Sequence, residues 1–124
     1  MMHIYNKFKL IVAGSRTFSD YDRMAADLDR LLINKKPYVI ICTGACPRGA
    51  DALAARYARE RGLELREFPA NWDRWRKNAG PIRNRQLADY GDALVAYWDG
   101  RSRGTASMIH EATIASLRVV VRRF

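Results

Sequence analysis

Three short segments of this chain combine glycine, a hydroxyl and arginine. They are Gly14-Ser15-Arg16-Thr17, then Thr43-Gly44-Ala45-Cys46-Pro47-Arg48-Gly49-Ala50-Asp51, and last Trp98-Asp99-Gly100-Arg101-Ser102-Arg103-Gly104-Thr105. Each carries what is needed to hold an anion. Glycine lets a ligand approach the backbone closely. The N–H groups at the start of a following helix face the anion, and the helix dipole favours its charge. Arginine adds a charge-assisted fork that matches phosphate. One glycine after a strand is usually only a turn. Three such segments gain force if the fold brings them to one edge. Neither a G-x-G-x-x-G fingerprint nor a P-loop is present.

A fourth segment, residues 71–85, holds Trp72, Arg74, Trp75, Arg76, Lys77, Arg83 and Arg85 against the single acid Asp73. Tryptophan and arginine together can stack a base and grip a phosphate. The plainer reading is a loop pinned to the sheet edge by a tryptophan. Arg83 and Asn84 are the better candidates for ligand contact, because they follow Gly80-Pro81 where the next helix is expected to begin. Asp51 is expected just inside a helix, where it either caps backbone N–H groups or holds a ribose hydroxyl. His110 and Glu111 read as surface or packing residues.

The chain has two cysteines, Cys42 and Cys46, and two histidines. That is too few for a disulfide framework, and no ligand-spaced pattern suggests a metal. Cys42 lies in an apolar run and reads as a buried hydrophobe. Cys46 lies in a loop with no histidine near it in sequence, which argues against a catalytic thiol. No bound cofactor or metal is expected, and no catalytic residue is assigned.

The elements that must position these residues alternate regularly. Apolar runs at residues 9–13, 38–43, 93–97 and 117–121, and alternation at residues 64–68, read as strands. Helical periodicity marks residues 20–33, 49–61, 79–90 and 105–116. Ser19 or Asp20 is the expected first cap, and Gly62 closes the second helix. The pattern predicts a Rossmann-like, doubly wound α/β fold: a mainly parallel five-stranded sheet with helices on both faces. Such sheets bind ligands at the carboxyl ends of their strands. All three glycine-bearing segments are expected there.

The chain has 124 residues, 48% of them hydrophobic and 28% charged. One domain spanning residues 1–124 is expected. Disordered and collagen-like classes are excluded by composition. No apolar run reaches the roughly 18 residues of a membrane span. The N-terminal residues, with His3, Asn6, Lys7 and Lys9, form no signal-peptide core, so a cytoplasmic location is expected. Lysine and arginine number 22 against 13 acids, a net charge of +9, and most of the cations are arginine. The excess suits anionic partners, nucleotides, nucleic acid or phosphorylated metabolites, and equally a basic surface that only keeps the protein soluble; charge alone does not separate the two. The supply of apolar and aromatic residues suggests a homo-oligomer.

Four ordered motifs, G-S-R from Gly14, G-A-x-x-x-G-A-D from Gly44, A-G-P-I-R-N-R from Ala79 and W-D-G-x-S-x-G-T from Trp98, resemble the YspA/YpsA-related branch of the SLOG superfamily. The resemblance covers about residues 8–122. It implies a Rossmann-like domain that binds a nucleotide or nucleotide-derived small molecule of NAD or ADP-ribose type, with a possible signalling role. Gly14, Ser15, Arg16, Gly44, Ala45, Gly49, Ala50, Gly100, Ser102, Gly104 and Thr105 would form its cradle. Arg83 and Asn84 would reach ribose or phosphate, and Asp51 a ribose hydroxyl. Two alternatives come with the superfamily. One is a nucleoside 5′-monophosphate phosphoribohydrolase like the Lonely Guy enzymes. The other is a nucleic-acid-binding module like DprA. The hydrolase pattern P-G-G-x-G-T-x-x-E carries a glutamate three residues after the threonine. Here Met108 stands at that position. The chain therefore lacks the acid that would stabilise a developing oxocarbenium charge, and binding ranks above hydrolysis.

Overall fold

The structure is a computed structural model and describes residues 6–35 and 37–124. His3 and the other residues before Asn6 lie outside it. Five strands, β1 (Phe8–Gly14), β2 (Val39–Thr43), β3 (Glu64–Glu67), β4 (Ala93–Trp98) and β5 (Arg118–Arg123), form one sheet in the order β3-β2-β1-β4-β5. All four pairings are parallel. The helices are α1 (Tyr21–Leu31), α2 (Ala50–Glu60), α3 (Trp72–Trp75), α4 (Ala79–Tyr90) and α5 (Arg103–Ile114), with a 3₁₀ turn at Arg76–Asn78.

Alternation along the central strands loads both faces, because successive side chains point to opposite sides. Leu10, Val12, Val39, Ile41, Val95 and Tyr97 pack with Met24 and Leu28 of α1 and Ala54 and Tyr57 of α2. Ile11, Ala13, Ile40, Cys42, Leu94 and Ala96 pack with Leu87 of α4 and Met108 and Ala112 of α5. The sheet is thus doubly wound. Alanines 50, 54 and 58 of α2 are fully buried and let that helix lie close to the strands.

Two local devices set the helix starts. Asp20 caps α1 by accepting the Arg23 N–H. Ser102 caps α5 by accepting the Thr105 N–H, while Asp99 Oδ1 accepts the N–H groups of Arg101 and Ser102 at 2.8 Å each. The helix consequently begins at Arg103, two residues before the expected start. Gly104 belongs to its first turn. At its far end Ser116 adopts a left-handed φ of 63° and stands outside the helix.

Residues 71–78 depart from the expected pinned loop. They form α3 and the 3₁₀ turn, and every one of them is exposed. Asn71 caps α3 by accepting the Arg74 N–H. Neither tryptophan is buried: Trp72 is 53% exposed and Trp75 38%. Among the described residues, no helix is long and apolar enough to cross a membrane.

Candidate functional site

In this strand order the chain leaves β1 toward β2 and later crosses to β4 on its other side. In such a sheet a crevice forms where the order reverses, outside the carboxyl ends of the strands. A cleft of about 110 Å³ opens at that point. Its lining draws on four parts of the chain: Gly14 and Arg16 after β1, Gly44, Cys46 and Asp51 around the β2–α2 turn, Arg83 and Asn84 of α4, and Ser102, Gly104 and Thr105 at the start of α5. Ala13, Leu87 and Met108 give it an apolar floor.

Arg83 crosses the cleft. Its Nη1 donates to the Gly44 carbonyl at 2.6 Å and to the Phe68 carbonyl at 3.4 Å, and its Nε donates to Asn84 Oδ1 at 2.9 Å. Asn84 is itself held by donating through Nδ2 to the Gly104 carbonyl at 3.3 Å and to Ser107 Oγ at 3.2 Å. The pair ties α4 to the first turn of α5 and to the end of β2. Burial of the guanidinium lowers its pKa, and Asp51 nearby opposes that shift. An arginine keeps its charge through such a shift. Neither residue begins a helix, as the sequence suggested. Both sit in the second turn of α4, which starts at Ala79 with Pro81 tolerated in its first turn. They reach the cleft as side chains, not through a helix end.

Asp51 is buried, and its Oδ2 accepts the Cys46 N–H at 3.1 Å. It holds the β2–α2 turn in place. Desolvation raises its pKa, while the Cys46 amide and Arg83 pull it back down. Gly44 leaves room beside it for the Arg83 guanidinium. A Cβ there would strike Arg83 Nη1 and lie 3.0 Å from Asp51 Oδ2.

Several expected cradle residues do not line the cleft but build its walls. Ser15 is buried, and its Oγ accepts the Asp99 N–H at 3.3 Å, joining the β1 and β4 loops. Ala50 is fully buried and donates its N–H to the Ser15 carbonyl. Gly49 has φ +76°, and a Cβ there would strike Arg16 Cα and sit 2.6 Å from the Ser15 carbonyl oxygen. Gly100, at φ +84°, faces the Arg123 guanidinium. Ala45, at φ 64°, lines an adjoining hollow.

That hollow, of about 170 Å³, continues the cleft outward. It shares Arg16, Gly44, Cys46 and Arg83 with the inner part and adds Pro47, Pro69 and Trp72. Ala13, Cys46, Leu87 and Met108 are the residues of the inner lining that loop chemistry alone did not mark as ligand contacts. Met108 is 1% exposed, so it belongs to the core as well as to the cleft wall. The other acids are engaged elsewhere. Asp99 is held by backbone N–H groups, which lower its pKa. Glu111 pairs with Arg85 at 3.6 Å. Among the described residues, no group of three or more His, Cys, Asp or Glu side chains is placed to hold a metal ion.

The class defined by this order of strands and crevice is the doubly wound, Rossmann-like α/β fold. The chain belongs to the YspA, cpYpsA-related SLOG family, whose model matches residues 8–75. It is 31% identical over 122 residues to the Gene 61 protein of Mycobacterium phage D29, covering 90% of this chain and 94% of that one. Among solved structures it is similar to the molybdenum cofactor binding protein from Rippkaea orientalis, with a TM-score of 0.71 and 19% identity, over 93% of this chain and 76% of that one. It is also similar to DNA processing protein A from Helicobacter pylori, described with a single-stranded DNA binding mode. There the TM-score is 0.63 and the identity 17%, over 94% of this chain and 65% of that one. At these identities the two solved structures speak to the fold.

Proposed function

We propose that the cleft binds a nucleotide or nucleotide-derived small molecule of NAD or ADP-ribose type and does not turn it over. The observation that carries this reading is the convergence of Arg16, Arg83 and the capped start of α5 on one cavity whose only carboxylate, Asp51, is already committed to the Cys46 amide. Two guanidinium groups and a helix N-terminus outweigh one carboxylate, so the field favours an anion. Ser102 Oγ and Thr105 Oγ1, 3.0 Å apart, offer hydroxyls at the same end.

Hydrolysis of a ribose–base bond needs a carboxylate beside the ribose. Met108 stands in the cleft wall where the hydrolase pattern has its glutamate. Asp51 is buried and hydrogen-bonded, and Asp99 and Glu111 do not line the cavity. Native mass spectrometry of the purified protein tests the binding half of the reading, with retained nucleotide the expected finding. Chromatography of AMP incubated with the protein tests the other half, with no free base released over hours. Robust release would replace a binding protein with a phosphoribohydrolase.

A second reading, single-stranded nucleic acid, is favoured by the exposure of residues 71–78 with Trp72, Arg74, Trp75, Arg76 and Lys77. It agrees with the net charge of +9 and with the binding described for the Helicobacter pylori protein. Binding to an oligonucleotide that weakens steeply with salt supports it. The proposed assembly is a homo-oligomer, supported by the exposure of Ile33 and Ile114 and tested by sedimentation.

A further inference from the structure

We infer that Trp72 forms a planar-ring subsite at the outer end of the cleft, so that a ligand lies with its anion at the start of α5 and a heteroaromatic ring against the indole. The inference rests on the cleft being the nucleotide site and adds which wall takes the ring and which way the ligand points.

The geometry orders the two ends. The inner part has Gly104 and Thr105 of α5, and the outer hollow has Pro47, Pro69 and Trp72. Arg16, Gly44, Cys46 and Arg83 line both, so the two parts are one continuous channel with the arginines at its middle. Above the aliphatic floor of Ala13, Leu87 and Met108, N–H-bearing and cationic groups thus stand at the inner end and middle, and the flat rings of Trp72 and the prolines at the outer end. That polarity matches a molecule with an anionic end and a ring end.

Trp72 is suited to the task in a way Trp75 is not. Arg74 already covers the Trp75 ring, 4.6 Å from its centroid. Trp72 also lines a second, more open hollow with Pro69, Ala70, Asn71 and Asp73. Its ring edge rests over the first turn of α4, where a Cβ at Gly80 would lie 3.7 Å from Cη2. An exposed indole lining a cavity beside two prolines offers stacking area to any flat ring, with little dependence on the ring's hydrogen-bonding pattern. The asymmetry also explains why a tryptophan stays exposed here: it contributes nothing to the core.

Calorimetry with AMP, ribose 5-phosphate and inorganic phosphate on wild type, Trp72→Ala and Trp75→Phe tests this. Stacking predicts AMP tighter than ribose 5-phosphate by about tenfold to a hundredfold in wild type. In Trp72→Ala that gap closes to within about twofold while ribose 5-phosphate affinity is unchanged. Trp75→Phe keeps the gap. Equal affinity for AMP and ribose 5-phosphate in wild type overturns the ring subsite and leaves the anion site standing. A gap that survives Trp72→Ala does the same. Binding of none of the three overturns both readings. Wild-type tryptophan emission gives a readout that needs no variant: AMP quenches it and ribose 5-phosphate does not, and absence of quenching at saturating AMP contradicts the inference.

Discussion

Arg83 Nη1 donates to the Gly44 carbonyl at 2.6 Å, so one side chain of α4 closes the distance to the end of β2 and places a guanidinium across the cleft. Asn84 fixes the same guanidinium from its other side, accepting from Nε at 2.9 Å. The charge is held in position before any ligand arrives, which reduces the ordering cost of binding.

Replacing Arg83 therefore has two effects. Arg83→Ala leaves the Gly44 carbonyl without this partner and costs about 1–2 kcal/mol in stability. It also removes a charge-assisted contact, and AMP affinity falls roughly 10- to 100-fold. Arg83→Lys keeps the charge but not the fork, so it does not restore binding. Urea denaturation and calorimetry read the two effects separately. Wild-type affinity in Arg83→Ala would remove this residue from the site.

Gly104 separates binding from folding in the opposite sense. It lies in the first turn of α5 and is exposed, and a Cβ there meets nothing within 4 Å. Its φ is not among the positive values. Gly104→Ala should then gain up to about 1 kcal/mol from reduced backbone entropy. The melting temperature rises by about 2–5 °C. The same methyl intrudes on the anion end and weakens AMP binding, and Gly104→Val does so more severely. A stabilised variant with unchanged affinity would mean that the ligand does not approach this turn.

Asp51 makes stability depend on pH. Burial raises its pKa in the folded protein above the ordinary aspartate value of 3.8. In the window just above 3.8 the folded state binds more protons than the unfolded one, so stability falls as pH rises through it. Asp51→Asn keeps an oxygen for the Cys46 N–H and carries no charge. Its stability relative to wild type should increase as the pH is raised from about 4 to about 7. Urea midpoints of both proteins across that range test the sign. A wild type that gains on Asp51→Asn with rising pH would show that Arg83 outweighs burial.

The two cysteines should differ sharply toward iodoacetamide. Cys42 is fully buried, and burial pushes its thiol up to about 12. Cys46 is half-buried and lines both parts of the cleft. Only Cys46 should alkylate in the native protein, with Cys42 following on denaturation. Saturating AMP should slow the Cys46 reaction, and peptide mapping by mass spectrometry reads both results. Equal labelling with and without AMP would place the ligand away from the β2–α2 turn.

The architecture was legible because it rests on local periodicity. Alternating residues such as Ile11 and Val12 are sorted to opposite faces by the pleat alone. The gathering of segments at the strand ends followed from the α/β order. Less legible was which residue in each segment faces the cleft. Ser15 turns inward because its Oγ meets the Asp99 N–H, 84 positions away in sequence. Gly49 is a glycine because of Arg16 and the Ser15 carbonyl, not because of a ligand. No local signal carries either contact. For residues 71–78 the sequence leaves base stacking and a pinned loop both open, because tryptophan is ordinarily a burial signal, and only the structure shows Trp72 and Trp75 exposed. The shifted start of α5 could have been found from Asp99 and Ser102, whose spacing from the helix is that of turn and cap residues.

Where AMP binds in a crystal of this protein tests the central claim most directly. The account predicts a phosphate against Gly14, Gly44 and Gly104, within hydrogen-bond reach of Arg16 or Arg83, in the cleft outside the carboxyl ends of β1 and β4. Ordered AMP at any other surface, with this cleft holding only water at saturating ligand, would contradict it.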